Sequence, residues 1–452
     1  MSPFSLLLIA AILLVDGGYG LALSWATPEP WLVFVMAFAP AVVVVLLSWV
    51  ACRMVRECFV RDGDTTSARR VASGCRLFRY LLILNMLFVI LVMDWLSVVR
   101  GVAGDQILLD ELIAISPLLV ASLLMARCWY PVDQIMSNRT VSTLRNGPWR
   151  FAWGQFCMEQ LLVLVPALLV FGVLELTQTT VVQAWGDVFG QSLLVLGVIL
   201  VFVSTPLIMR LFLSWKPMAS GELRDRLHSV CRRHRVRIRE ILLWPTGGLI
   251  LNAAVIGLTG RLRYIVLTET LVDTLPQEYT EAVMAHEVAH VRHVHIPWMF
   301  ASIVAMVLMI EVVTTPFAHL LMDDVWIQLG LMLVTIGIGF GWISRRFEQQ
   351  ADAFAAVHLS DSSENDVVTL HSVTTVMNSL YSIASLNGAP ANRYSWRHGS
   401  TAWRCRNLEQ IIGCSLSSLP VDRLVSRIKL AIVLVGLISI LILVSSSTGV
   451  LA

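Results

Sequence analysis

The chain has 452 residues, 57% of them hydrophobic and only 14% charged, with a formal net charge of +2. Soluble domains are nearer half apolar and a quarter charged, so this composition excludes an ordinary soluble globular protein and fits a polytopic membrane protein. The near-neutral total gives no reason to expect nucleic acid as a partner.

A bilayer core of about 30 Å needs roughly 20 apolar residues as helix. Nine stretches approach this, near Phe4–Leu23, Trp31–Val50, Leu81–Val99, Leu112–Met125, Leu161–Leu174, Ser192–Phe212, Trp298–Phe317, Val325–Ile343 and Leu430–Val444. The first follows "MSPFS", which lacks Lys and Arg, and no A-x-A site comes after it, so it reads as a retained span. The fourth, with the fifth one of the two shortest, contains Pro117. Asp16, Asp94 and Glu311 fall inside apolar runs, each near an end or a break, which argues against a catalytic use of intramembrane carboxylates here.

The basic residues, 31 Arg and two Lys, are unevenly placed. The segment after the second stretch carries Arg53, Arg56, Arg61, Arg69, Arg70, Arg76 and Arg79. The segment after the fourth carries Arg127, Arg139, Arg145 and Arg150, and both long polar segments, before the seventh and after the eighth stretch, are Arg-rich. The alternate loops "ATPEP", "GVAGDQILLDE", "ELTQTTVVQAWGDVFGQ" and "AHLLMDD" hold carboxylates without Lys or Arg, and only Arg100 stands at their edge. The positive-inside rule then places the amino terminus and both long polar segments in the cytoplasm. The eight cysteines include no C-x-x-C and fall near that side, as reduced thiols would.

The chain is thus expected to divide into a six-span membrane region (1–214), a first polar segment (215–297), a two-span hairpin (298–343), a second polar segment (344–428) and a terminal anchor (429–452). Within the first polar segment, "GELRDRLHSVCRRHRVRIREILLW" begins with helical spacing and turns strand-like. Its charge run reads as a solvated helix face, with contact to anionic headgroups as the lesser alternative.

"EAVMAHEVAHVRHVH" concentrates four of the ten histidines in ten residues, two of them framing a glutamate as H-E-x-x-H. In a helix His286 and His290 share a face and offer two imidazoles to one metal, with Glu287 beside them. That pattern suits a zinc-bound water whose pKa falls towards 7, with Glu287 as the base that takes its proton during attack on an amide. A catalytic zinc needs a third ligand. Ile296 stands where a third histidine ten residues after the first would be, so the ligand is sought further on. In "SRRFEQQADAFAAVH", Glu348 and Asp352 share a helix face, and two spans separate them from His290, which returns the chain to the same membrane surface.

H-E-x-x-H, two spans and S-R-x-x-E-x-x-A-D together resemble the gluzincin family of integral-membrane metallopeptidases that includes the CAAX prenyl proteases and the HtpX-type proteases. The resemblance covers roughly residues 220–425. It implies a polytopic α-helical membrane protein with a small α+β zincin-like metallopeptidase domain. It assigns His286, His290 and Glu348 as ligands of one Zn2+, Glu287 as general base, and Asp352 as the carboxylate that orients a ligand histidine. "LNAAVIG" is similar to the family's edge strand, which pairs with substrate backbone, making Asn252 a candidate for holding the peptide. "YSWRHGS" is similar to its late histidine segment, making His398 a candidate stabiliser of the oxyanion. His295 stands where the family often has aspartate, and His293 and His295 are expected to continue the helix to the membrane surface.

The resulting expectation is a multi-pass zinc endopeptidase that hydrolyses membrane-associated or misfolded membrane proteins, with its active site towards the cytoplasm and the bilayer and a peptide as partners. A signalling receptor that cleaves a repressor would want a large outside domain, and a transporter with a structural metal would not need Glu287 or the Glu348/Asp352 pair.

Overall fold

The computed structural model describes residues 11–12, 15, 29–62, 66–136, 147–213, 215–246, 251–314, 325–360 and 366–447. The chain falls into two compact units, Met1–Leu213 and Ser214–Ala452.

The first unit is helical: α1 (Pro30–Asp62), α2 (Thr66–Leu91), α3 (Trp95–Ala103), α4 (Leu109–Met136), α5 (Pro148–Phe156), a π-helical turn at Cys157–Leu161, α6 (Leu162–Gln178), α7 (Thr180–Gln183) and α8 (Asp187–Phe212). Its core gathers Val33, Ala37, Met86, Ile90, Trp95, Leu96, Ala114 and Ile115. The third apolar stretch is not one straight helix, because α2 and α3 meet at 71°. Asp94 sits at that break in the left-handed conformation (φ 54°) and accepts a hydrogen bond from Ser97 Oγ at 2.8 Å, which accounts for its carboxylate. The fourth stretch is longer than its sequence suggests, since α4 continues through both Pro117 and Pro131. Neighbouring helices tolerate such prolines where packing replaces the lost bond. Arg100, the one basic residue at a carboxylate-bearing edge, is ion-paired to the fully buried Asp110 (2.6 Å) and Glu111 (3.3 Å).

Among the described residues, five helices are long and apolar enough to cross a membrane, or seven if each of two bent pairs is one span. Most of the Phe4–Leu23 stretch, Asp16 and the connection 315–324 lie outside the described residues. Seven cysteines are free thiols among those described.

The second unit is built on a four-stranded sheet of β1 (Lys216–Pro217), β2 (Glu240–Trp244), β3 (Ala253–Ile256) and β4 (Tyr264–Thr268), in the order β1-β2-β4-β3. β2 runs parallel to β4 (Leu242 opposite Val266), while β3 is antiparallel to β4 (Val255 opposite Ile265) and forms an edge. The apolar run "YIVLT" makes β4 the fully buried central strand. The helices of this unit are α9 (Glu222–Arg233), α10 (Glu269–Thr274), α11 (Gln277–Arg292), α12 (His295–Thr314), α13 (Val325–Ser360), α14 (Leu370–Leu386), α15 (Thr401–Glu409) and α16 (Pro420–Ser447). One core joins Ile265 and Leu267 of β4, Leu227 and Val230 of α9, Ala282, Ala285 and Val288 of α11, Ala353 and Ala356 of α13, and Val373 and Val376 of α14. The run of buried alanines on α11 and α13 removes bulk where these two helices meet, which brings their polar residues together.

Two features of this unit position the site. α13 is continuous across 343–344, so the eighth apolar stretch and the segment bearing Glu348 and Asp352 are one helix of 36 residues, about 54 Å at 1.5 Å per residue. α11, by contrast, stops at Arg292. Val294 takes a left-handed conformation (φ 57°), costly for a β-branched residue, and α12 starts at His295. The expectation that His293 and His295 prolong α11 is therefore wrong: the chain turns, and His295 is fully buried.

Candidate active site

α11 carries His286 and His290 one turn apart, and α13 brings Glu348 against them. His286 Nε2 and His290 Nε2 lie 3.2 Å apart, His286 Nε2 is 3.6 Å from Glu348 Oε2, and His290 Nε2 is 3.8 Å from Glu348 Oε1. Two nitrogens each about 2.0–2.1 Å from one tetrahedral zinc stand about 3.3 Å apart, and a carboxylate oxygen stands at a similar spacing. The donor set and its spacing therefore fit a zinc ion with little rearrangement.

The outward ring nitrogens are held as well. His286 Nδ1 lies 3.0 Å from Asp352 Oδ1, an ion-pair contact although not an aligned hydrogen bond. Asp352 in turn takes a two-pronged grip from Arg404 of α15, with Nε to Oδ2 at 2.8 Å and Nη2 to Oδ1 at 2.5 Å. On the other side, His290 Nδ1 lies 2.8 Å from His295 Nδ1, and His295 Nε2 lies 2.9 Å from Gln350 Oε1. Gln350 Nε2 then donates to Asp422 Oδ1 at 2.6 Å, at the start of α16. The His295 ring stacks on Phe347 with centroids 4.6 Å apart and planes 5° from parallel. If His290 Nε2 turns its lone pair to a metal, its proton sits on Nδ1. His295 Nδ1 must then accept and His295 Nε2 must donate, so proton positions along the chain are fixed in one direction.

Glu287 Oε2 accepts from the backbone N–H of Val255 at 3.1 Å. Burial, reinforced by the neighbouring Glu348, pushes the Glu287 carboxyl up to about 7 despite the lowering influence of His286. Burial would also raise Glu348 and Asp352, but the close approach of the His286 and His398 imidazoles and the charge of Arg404 hold Glu348 well below the usual carboxylate range. Arg404 and His286 do the same for Asp352. His398, half-exposed, places Nδ1 3.0 Å from Glu348 Oε1. Its segment is pinned to α13: Trp396 Nε1 donates to Gly337 O at 2.5 Å, Arg345 donates to Trp396 O at 2.7 Å, and any side chain at Gly341 would collide with the Trp396 indole.

The fold therefore brings His286, Glu287, His290, Glu348, Asp352 and His398 to one place. Asn252 stands just before the edge strand, exposed, with its backbone paired to Thr268, and no hydrogen bond joins its side chain to that group. Sequence reasoning missed Arg404, Gln350 and Asp422. Nothing in the sequence separates Arg404 from the other arginines, whereas a histidine at an often acidic position was a signal for His295.

The family model of Peptidase family M48 matches residues 246–412. No curated protein matches the chain. The crystal structure of S. mikatae Ste24p aligns over 84% of this chain and 99% of that chain, at 16% identity and a TM-score of 0.46. The matched segment spans both metal-facing helices, from the edge strand to the end of α15, so the part of the chain that holds the candidate site is similar to Peptidase family M48.

Proposed function

We propose that this chain is a zinc-dependent endopeptidase that hydrolyses peptide bonds in membrane-associated or misfolded membrane proteins, with the active site open to the cytoplasm. The observation that carries the reading is the convergence of His286 Nε2, His290 Nε2 and Glu348 within ligand spacing while Glu287 lies beside them. When bound, zinc supplies Lewis acidity, lowering the pKa of a water and polarising the scissile carbonyl. Glu287 takes the water's proton on a carboxylate oxygen and returns it to the leaving amine, a shuttle favoured by a carboxyl near neutrality. His286, His290 and Glu348 hold the metal, and Asp352 with Arg404 fixes the first imidazole.

Substrate would lie along β3. The pairing of Asn252 with Thr268 turns the alternate residues Ala253 and Val255 towards the free edge, where Ala253 N–H and C=O and Val255 C=O are open to a peptide strand while the Val255 N–H is taken by Glu287. Asn252 would hold that peptide from the start of the strand, and His398 would face the developing oxyanion. The Arg-rich segments flanking the apolar helices support the cytoplasmic orientation.

Purified wild type and Glu287→Gln are compared for bound zinc and for cleavage of an unfolded membrane protein in detergent. Equal zinc with cleavage only by wild type is the expected result. Zinc in both without a difference in cleavage would reduce the site to a metal-bound scaffold.

A further inference from the structure

The arginine run that reads in sequence as a solvated helix face is exposed, and Arg232, Arg237 and Arg239 within it border a concavity. α9 ends at Arg233, and the chain then passes through Arg235 in a left-handed conformation (φ 56°) into β2. Arg232 from α9, Arg237 and Arg239 from the approach to β2, and Arg261 from the β3–β4 turn line a recess of about 910 Å³. Cys231, Val236 and Ile238 supply apolar wall, and no carboxylate lines it. Arg224 and Arg226 of the same helix are ion-paired to Glu240 and Glu281, whereas none of the four lining arginines has a carboxylate partner among the described residues.

The two loops that carry these charges are fastened together. Arg263 donates to Gly257 O (3.3 Å), Arg237 O (3.1 Å) and Leu258 O, so a fifth guanidinium is used as a staple. Gly257 (φ 105°) and Gly260 permit the close approach, since a Cβ at Gly260 would fall 2.8 Å from Arg237 Cβ. Four like charges are thus gathered around one hollow, and none of them is ion-paired to a carboxylate among the described residues. Guanidinium forks match oxyanions bidentately, and an open hollow ringed by four of them presents that chemistry to a ligand at the surface.

We propose that this recess is a binding site for a phosphate-bearing anion, its phosphate held by Arg237, Arg239 and Arg261 and its less polar part against Val236 and Ile238. Two sources share that chemistry, a phospholipid headgroup and a soluble phosphate ester. The site is independent of the metal chemistry above.

The test uses the full-length protein in a phosphate-free, uncharged detergent, as wild type and as the double variant Arg237→Gln/Arg261→Gln, whose zinc content and thermal unfolding serve as folding controls. Calorimetry with glycerol 3-phosphate reads the soluble source, and native mass spectrometry with added phosphatidylglycerol reads the lipid. Binding of either probe by wild type, weakened about tenfold or more in the double variant and by added salt, supports the site and identifies its source. Equal binding of both probes by the two proteins, binding of neither, or capture of a polyglutamate peptide in place of both phosphates would overturn it.

Discussion

Replacing His295 tests whether the buried histidine chain holds the metal or merely fills space. In His295→Leu, the His290 Nδ1–H that meets its acceptor at 2.8 Å is left buried without one. An orphaned buried donor costs about 1–3 kcal/mol. It can escape that cost by rotating the ring or changing tautomer, and either takes Nε2 away from the metal. Removing an outer partner of a ligand histidine lowers metal affinity about 10–100-fold, equivalent to about 1.4–2.7 kcal/mol, which agrees with the orphan cost. His295→Asn keeps an acceptor oxygen near the position of Nδ1 and is expected to stay within a few-fold of wild type. The assay is zinc competition against a chromogenic chelator at pH 7.5, on metal-stripped protein in detergent, with thermal unfolding as a control. A Leu variant with wild-type affinity would refute the reasoning. So would an Asn variant as weak as Leu, because shape and not the acceptor would then be what matters.

Arg404→Met leaves the buried Asp352 without its paired cation, and breaking such a pair costs about 3–5 kcal/mol; a lower unfolding temperature together with weaker zinc binding is expected, and unchanged values for both would show the pair to be dispensable. His234, 2.8 Å from His358 and tilted against the Phe354 ring, has its pKa lowered to about 4 by burial first and then by His358. The unfolded chain therefore binds the extra proton between about pH 6.5 and 4, and stability is lost as pH falls through that window, by about 1–2 kcal/mol after solvent screening. Unfolding midpoints from pH 7 to 4.5 should fall less in His234→Gln; parallel curves would assign the loss elsewhere.

The sequence by itself carried the residue pattern of the candidate site. H-E-x-x-H at helical spacing, and Glu348 with Asp352 four residues apart, are local patterns, and an α-helix turns such spacing into a shared face whatever surrounds it. Composition likewise settled the membrane class, because nothing else accommodates so much apolar chain. Where helices break was legible only in part. Asp94 interrupts an apolar run without Gly or Pro, while Pro117 and Pro131 interrupt nothing, since packing against neighbours outweighs local propensity at each point; at Val294 the sequence did carry a breaker, Pro297 three residues on.

Only the tertiary structure decided what stands behind the metal-facing residues. His295 reaches His290 because the chain reverses at Val294, Gln350 reaches Asp422 across 72 residues, and Arg404 is chosen from many arginines because α15 lays it on Asp352. The arginine recess is the same lesson, as its walls come from α9, the approach to β2 and the β3–β4 turn. Hydrogen bonds and charge pairing act between groups that are close in space, and sequence records that closeness only where one helix carries both partners.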